Sequence, residues 1–403
     1  MNSLLYALIE ALRCHRWLRL LACAFIFSSL GNGLTQVVVF GLLLQWAAPP
    51  VLLTLAFLFA TVPGFLGSMI GEKLCSRFSP LSLLILTEVL GLLALIFPFL
   101  GVHYHSIPAL LAMQSAEALL SGIGWPALTL LFKRSLSDAE LPAATVLENL
   151  IFASQVLLGS GLGVVLFQKM PVVDLLAIDA ASFLGSLLML LLARRVFAAR
   201  IKPSPTDAHA LVALRWQRLT QRQKRCLLLL PALAAVGSPA MALLPALAQE
   251  IQPENAAGLA LPLLFARSMG QLCGPMLLKR DSLTRVATQP LLLMGYLALF
   301  LAAYGVLPLL SGWVVPALGM IFIAHLASNI VFAAGTFGVL SNFQKAQISS
   351  ASSKAWRWQT LSASLFTGLA AMAATAFGAV EALYMVSGTA LLFVTLVLRR
   401  FSD

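Results

Sequence analysis

The sequence predicts an all-α polytopic membrane protein of twelve transmembrane helices, arranged as two six-helix bundles. Three observations predict it. Hydrophobic residues make up 60% of the 403 residues and charged residues only 10%. Apolar runs of spanning length follow one another with little polar sequence between them, and one long polar interruption falls near the midpoint. A run of about 18 or more apolar residues crosses a ~30 Å hydrocarbon layer, and a water-soluble domain has no use for so many.

In chain order the first six spans fall near 18–44, 50–71, 81–100, 107–131, 143–167 and 173–193. Spans 7 to 12 fall near 226–248, 257–278, 286–307, 312–340, 357–380 and 382–398. The polar interruption runs from Arg194 to Arg225, with nine basic residues against the single acid Asp207 and with Pro203 and Pro205 stiffening its middle. It divides the chain into a first bundle (1–198), a central cytosolic loop (199–225) and a second bundle (226–403). All other loops are short, which makes successive spans antiparallel within each bundle, while the long loop lets one bundle move against the other.

With the N-terminus in the cytosol, 24 of the 26 Lys and Arg lie in or beside cytosolic segments, leaving Lys169 outside and Arg267 inside a span. The positive-inside rule is satisfied with both termini cytoplasmic. The formal charge of +11 therefore reads as topology and contact with anionic membrane lipids, and no nucleic-acid partner is expected. The basic stretch ahead of span 1 resembles the start of a secretory signal. The apolar run is too long, however, and lacks a small-residue cleavage site, so a retained first helix is expected. Five cysteines, an odd count without a Cys-x-x-Cys pair, indicate no disulfide or metal framework. His103 and His105 in an outward loop read as a polar loop rather than a metal site.

Glycines four residues apart, Gly67/Gly71 on span 2, Gly159/Gly163 on span 5 and Gly270/Gly274 on span 8, predict close helix approach in lipid. Ionisable groups within spans carry the functional signal, since each costs roughly 2.5–3.5 kcal/mol at the bilayer centre and needs a partner or water. Glu88, Glu117, Asp179, Arg267 and His325 are these groups, while Glu148 and Arg357 lie closer to helix ends and reach the interface by snorkelling. Glu117 stands out because Gln114 and Ser121 extend a polar stripe along the middle of span 4. A carboxyl in such a stripe can exchange a proton as its surroundings change, and the alternative is a carboxyl that bonds a neighbouring helix. Arg267, with Gln271 one turn on, needs a counter-charge, for which Glu117 is the candidate across the two halves, or an anionic ligand. His325 and Asn329 share a face of span 10, as Asn32 and Gln36 do on span 1; each pair suits a cavity wall or a helix contact. Spans 3 and 6 are expected at the periphery, with Glu88 and Asp179 as internal glue. No phosphate-binding Gly-rich loop ending in Lys-Ser/Thr is present, so neither ATP hydrolysis nor another enzymatic activity is expected.

The stretch between spans 2 and 3 reads Gly67-Ser68-Met69-Ile70-Gly71-Glu72-Lys73-Leu74-Cys75-Ser76-Arg77. Together with the six-plus-six arrangement and the basic central loop, it resembles the major facilitator superfamily. Glu72-Lys73 stands where Asp-Arg is usual, Arg77 supplies a later basic residue, and Cys75-Ser76 replaces the usual Gly-Arg. The resemblance implies that Glu72, Lys73 and Arg77 gate the cytosolic side, and that spans 1, 4, 7 and 10 line the cavity. Ser121-Gly122-Ile123-Gly124-Trp125-Pro126 after the span 4 acid, with Ser137-Asp138-Ala139-Glu140-Leu141-Pro142 opening span 5, is similar to the branch containing the enterobactin exporter. Gly159-Ser160-Gly161-Leu162-Gly163 stands where drug/proton antiporters carry Gly-Pro-x-x-Gly. The expected function is a monomeric, proton-coupled exporter of a small metabolite, a siderophore or drug-like compound, in the bacterial inner membrane. It draws on the proton gradient without a cofactor, with Glu117 and Arg267 coupling and Asn32, Gln36, Gln114, Ser121, Gln271, His325 and Asn329 lining the cavity. An importer of a siderophore or lysophospholipid, or a non-transporting scaffold or receptor, are the alternatives.

Overall fold

In the computed structural model the described residues are 3–46, 48, 52, 56, 58–200, 214–252, 254 and 256–401, and nearly all of them are helical. Ten helices among them are long and apolar enough to cross a membrane. In the places expected for spans 2 and 8 stand the helices Pro63–Leu74 and Ala256–Met276. Apolar side chains such as Leu86, Leu93, Leu188 and Leu392 point outward from the bundle, as a fold whose solvent is lipid requires.

Each bundle repeats one set of neighbours. Span 1 packs on spans 5 and 6, span 2 on span 4 and span 3 on span 4; six spans later, span 7 packs on spans 11 and 12, span 8 on span 10 and span 9 on span 10. Contacts between the bundles run from span 11 to spans 2 and 4, and from span 5 to spans 8 and 10. The glycine pairs sit at the close approaches within bundles. A Cβ on Gly71 would stand 2.6 Å from the Ile123 carbonyl oxygen of span 4, and one on Gly274 would stand 2.6 Å from the Leu326 carbonyl oxygen of span 10.

Several helix boundaries depart from the hydropathy reading. Span 11 runs Ile348–Phe377, nine residues earlier than expected, because the small side chains Ser349, Ser350, Ala351, Ser352 and Ser353 are buried by neighbouring helices. Hydropathy does not register a polar segment that is covered by protein. The start of expected span 9 is a separate helix, Arg280–Thr288, divided at Gln289 from Pro290–Val306, since Pro290 lacks the N–H that would continue the ladder. Span 7 begins at Gln221, behind a Thr220/Gln223 capping box. Residues 201–213 of the central loop, including Pro203, Pro205 and Asp207, lie outside the described residues.

The N-terminal helix Leu4–Cys14, absent from the sequence reading, buries Leu4, Leu8 and Ala11. It lies against span 5 and, through the Ser3–Lys279 bridge and the Leu4 N–H donated to the Leu278 carbonyl (3.0 Å), against the second bundle. Trp216, at the end of the central loop, packs on Trp358 of span 11 and on Phe401 near the C-terminus. Both ends of the described chain therefore meet one face, rich in Lys and Arg, called the basic face from here on.

Candidate functional site

Close to the basic face the two bundles are joined by side chains. Arg357 Nη2 of span 11 lies 3.0 Å from Glu72 Oε2 of span 2, both largely buried. One turn away Ser353 Oγ donates to the Ser68 carbonyl (2.7 Å), and the Thr129 and Ser352 hydroxyls are 2.9 Å apart. Above them the rings of Trp125 and Trp356 stack in a tilted pair, centroids 4.8 Å apart. Arg357 thus stands well inside its helix, paired with an acid of the other bundle, and does not snorkel to the interface. Lys73 and Arg77 form no ion pair among the described residues.

Beyond this layer opens a central cavity of about 360 Å³ between the bundles. Three carboxyls line it: Glu88 from span 3, Glu117 from span 4 and Glu148 from span 5. Glu88 Oε1 accepts from Ser28 Oγ of span 1 (3.0 Å), while Glu88 Oε2, Glu117 Oε1 and Glu148 Oε2 are buried without a partner. From the second bundle Gln271, His325 and Asn329 face them. His325 Nε2 is 2.8 Å from the Tyr304 hydroxyl, its Nδ1 is unpartnered, and Asn329 donates to the His325 carbonyl (3.1 Å).

A second cavity of about 700 Å³ adjoins the first, sharing Phe152 and Gln155 with it. It lies between spans 1, 5 and 8 and extends to Gln45 and Gln168, at the helix ends remote from the basic face. Among the described residues the bundles are therefore joined at the basic face, while the second cavity extends between spans 1, 5 and 8 toward the opposite side. A six-residue π-helical turn, Gln155–Ser160, interrupts span 5 where the cavities meet; such turns are frequent at functional sites.

The expected residues divide between these places. Glu117, Asn32, Ser121, Gln271, His325 and Asn329 line the central cavity, and Gln36 and Arg267 line the second. Gln114 is buried on span 4 outside both. No ion pair joins Glu117 to Arg267, which line different cavities. Asp179 takes hydrogen bonds from Thr35 and Ser182 and holds span 6 to span 1. Span 3 is not peripheral at this level, because Glu88 reaches between spans 1 and 4 into the cavity. Glu148, expected at an interface, is 4% exposed and faces the same space. Its signal in the sequence was its position two turns inside its helix, with Thr145 and Asn149 beside it. His103 and His105 form ring contacts with Tyr104 and Trp46, and no group of three or more metal-ligating side chains occurs among the described residues.

No family model matches the sequence. A stretch of 74 residues is 59% identical to an uncharacterized 29.9 kDa protein in the crtE 3′ region of Pseudescherichia vulneris, covering 18% of this chain and 27% of that protein's length. Solved structures extend over the whole fold. A variant of the E. coli fucose:proton symporter FucP aligns with 96% of this chain and 98% of its own at TM-score 0.65 and 12% identity. A bacterial homologue of the iron transporter ferroportin in an outward-facing state covers 96% and 99% at TM-score 0.69 and 15% identity. The human organic anion transporter MFSD10 (TETRAN) covers 95% and 97% at TM-score 0.66 and 15% identity. The architecture is the major facilitator fold.

Proposed function

We propose that this chain is a secondary active transporter that exports a small metabolite across the bacterial inner membrane in exchange for protons, by alternating access. The observation that carries the reading is the cavity, walled by both bundles, bounded toward the basic face by the Glu72–Arg357 layer and adjoined, among the described residues, by a second cavity that extends toward the other side. A scaffold that moves nothing has no need of a cavity between its bundles into which buried carboxyls face, whereas a transporter needs such a cavity at its centre. With the basic face in the cytosol by the positive-inside rule, the joined side is cytosolic and the second cavity extends outward, the arrangement of an outward-facing state. The outward-facing state of the ferroportin homologue is consistent with that reading.

In this reading Glu72 and Arg357 latch the cytosolic gate, with Lys73 and Arg77 at its rim. Glu117 is the coupling carboxyl. Because a charge at the bilayer centre costs roughly 2.5–3.5 kcal/mol, the proton on Glu117 follows the arrival of water and counter-charge as the bundles rock. Arg267, in the adjoining cavity, supplies a counter-charge that comes within reach only when the bundles move.

The test compares the culture media of a parent strain, a deletion strain and a strain carrying Glu117→Gln, under iron starvation and repletion. A metabolite present in the parent medium and depleted from the other two, at equal protein levels, is the expected result. Three identical media would overturn the export reading. Full export by Glu117→Gln would remove the coupling role from Glu117 and pass it to Glu148.

A further inference from the structure

We infer that the central cavity receives an organic cation, a protonated amine, guanidinium or onium centre carried on an apolar body. That this cation is cargo rests on the transport reading; that it binds does not. The charges at the wall have one sign. Three spans contribute Glu88, Glu117 and Glu148, and no Lys or Arg is among the lining residues. His325 is the one basic group there and is held by the Tyr304 hydroxyl. Asp179 on span 6 is buried and is not among the lining residues, and Arg267 on span 8 lines the neighbouring cavity.

A cluster of acids alone would be satisfied by protons, but two further observations point to a ligand. The first is the set of orphaned polar atoms. Besides one oxygen on each of the three carboxyls, Gln271 Oε1 and Gln359 Oε1 are buried acceptors without donors, against a single orphaned definite donor at the wall, Trp356 Nε1. Gln271 is 2% exposed and cannot be neutralised by a proton, so its oxygen calls for an N–H or for the positive edge of a ligand. The second is the aromatic wall. Beside the Trp125–Trp356 pair, Phe332 lies 6.3 Å from Trp125 and stacks with Phe152 at 6.2 Å. The electron-rich faces of such rings attract cations, and their area covers an apolar body. An acidic wall of this kind repels an anionic siderophore, so of the two cargoes the sequence suggests, the drug-like one is retained. A volume of about 360 Å³ falls in the range of drug-sized ligand sites.

The probes are tetraphenylphosphonium and tetraphenylborate, ions of nearly the same shape and opposite charge. Their equilibrium binding is measured on the full chain in nanodiscs, with empty nanodiscs subtracted. At about pH 8 the phosphonium should bind at least ~10-fold tighter than the borate, and acidification to about pH 5.5 should weaken it ~10-fold as protons compete for the carboxyls. Glu148→Gln should weaken the phosphonium ~10-fold and leave the borate unweakened or tighter, since a repelling charge is removed. Should that variant fail to fold, the comparison of the two ions on the unmodified chain still decides. Borate binding as tight as phosphonium binding, or phosphonium binding indifferent to pH, overturns the inference. Cation binding without flux in proteoliposomes would instead support the site and overturn the transport reading. An export defect in the deletion strain combined with preference for borate would overturn the cation site and keep transport.

Discussion

Glu140 illustrates how a single residue outside the membrane ties distant segments together. Its carboxylate accepts from the Ser137 backbone N–H (2.9 Å) and hydroxyl (2.7 Å) and lies 2.7 Å from His15 Nε2, at the junction of the N-terminal helix and span 1. Burial pushes its carboxyl up, but the Ser137 hydrogen bonds and His15 outweigh this and hold it below the usual 4.5. A depressed folded-state value means that Glu140 contributes stability above about pH 4.5 and loses it as the pH falls through the folded value. We expect Glu140→Gln to lower stability by about 0.5 kcal/mol near neutral pH, a modest figure because the group is partly exposed to screening solvent. Thermal midpoints of the two proteins should converge in acid, and a gap that persists there would count against this account. The sequence displays Ser137 and Glu140 three residues apart, but not His15, which is 125 positions away.

Among the helices, close approach is governed by backbone atoms that the sequence can flag through glycine. Gly274 faces the Leu326 carbonyl of span 10, whereas Gly368 of span 11 has nothing within 4 Å of where a Cβ would stand. Gly274→Val should therefore force spans 8 and 10 apart at a cost of about 1–3 kcal/mol. Gly368→Ala should stabilise span 11 by about 0.5–1 kcal/mol through reduced backbone freedom in the unfolded chain. Thermal unfolding in detergent separates the two, and equal midpoints would show that these approaches are not what holds the helices. The glycine spacing was legible because it repeats every four residues on one helix face. Where span 11 begins was not, since buried serines look like loop until the helices that cover them are in place.

Across the whole molecule, the bundles meet at the basic face through few groups, of which the Glu72–Arg357 pair is the charged one among the described residues. A hydrogen-bonded charge pair made in only one state biases the equilibrium between states by its full net worth. Glu72→Ala should thus raise the ratio of basic-face-open to basic-face-closed molecules by about tenfold, the effect of roughly 1.4 kcal/mol. Spin labels at Arg77 and Lys345, exposed positions on opposite bundles, report the distance, and Arg357→Ala should shift it in the same sense. An unchanged distance distribution in both variants would remove the pair from the gate.

The sequence by itself determined the solvent of this protein, the order of its spans, and the glycine seams within each bundle, because these depend on local composition and on periodicity along one helix. It also singled out Glu117, whose polar neighbours at three and four positions mark one face of one helix. Only the tertiary structure decided what Glu117 faces. Glu88 and Glu148 each look like an isolated acid in an apolar run, and nothing local tells that the approach of spans 3, 4 and 5 turns them toward one space. The same packing separates Arg267 from Glu117 and gives Glu72 a partner 285 residues away. Charge in lipid must be paired or hydrated, but which of those occurs depends on how helices from two halves of the chain are brought together.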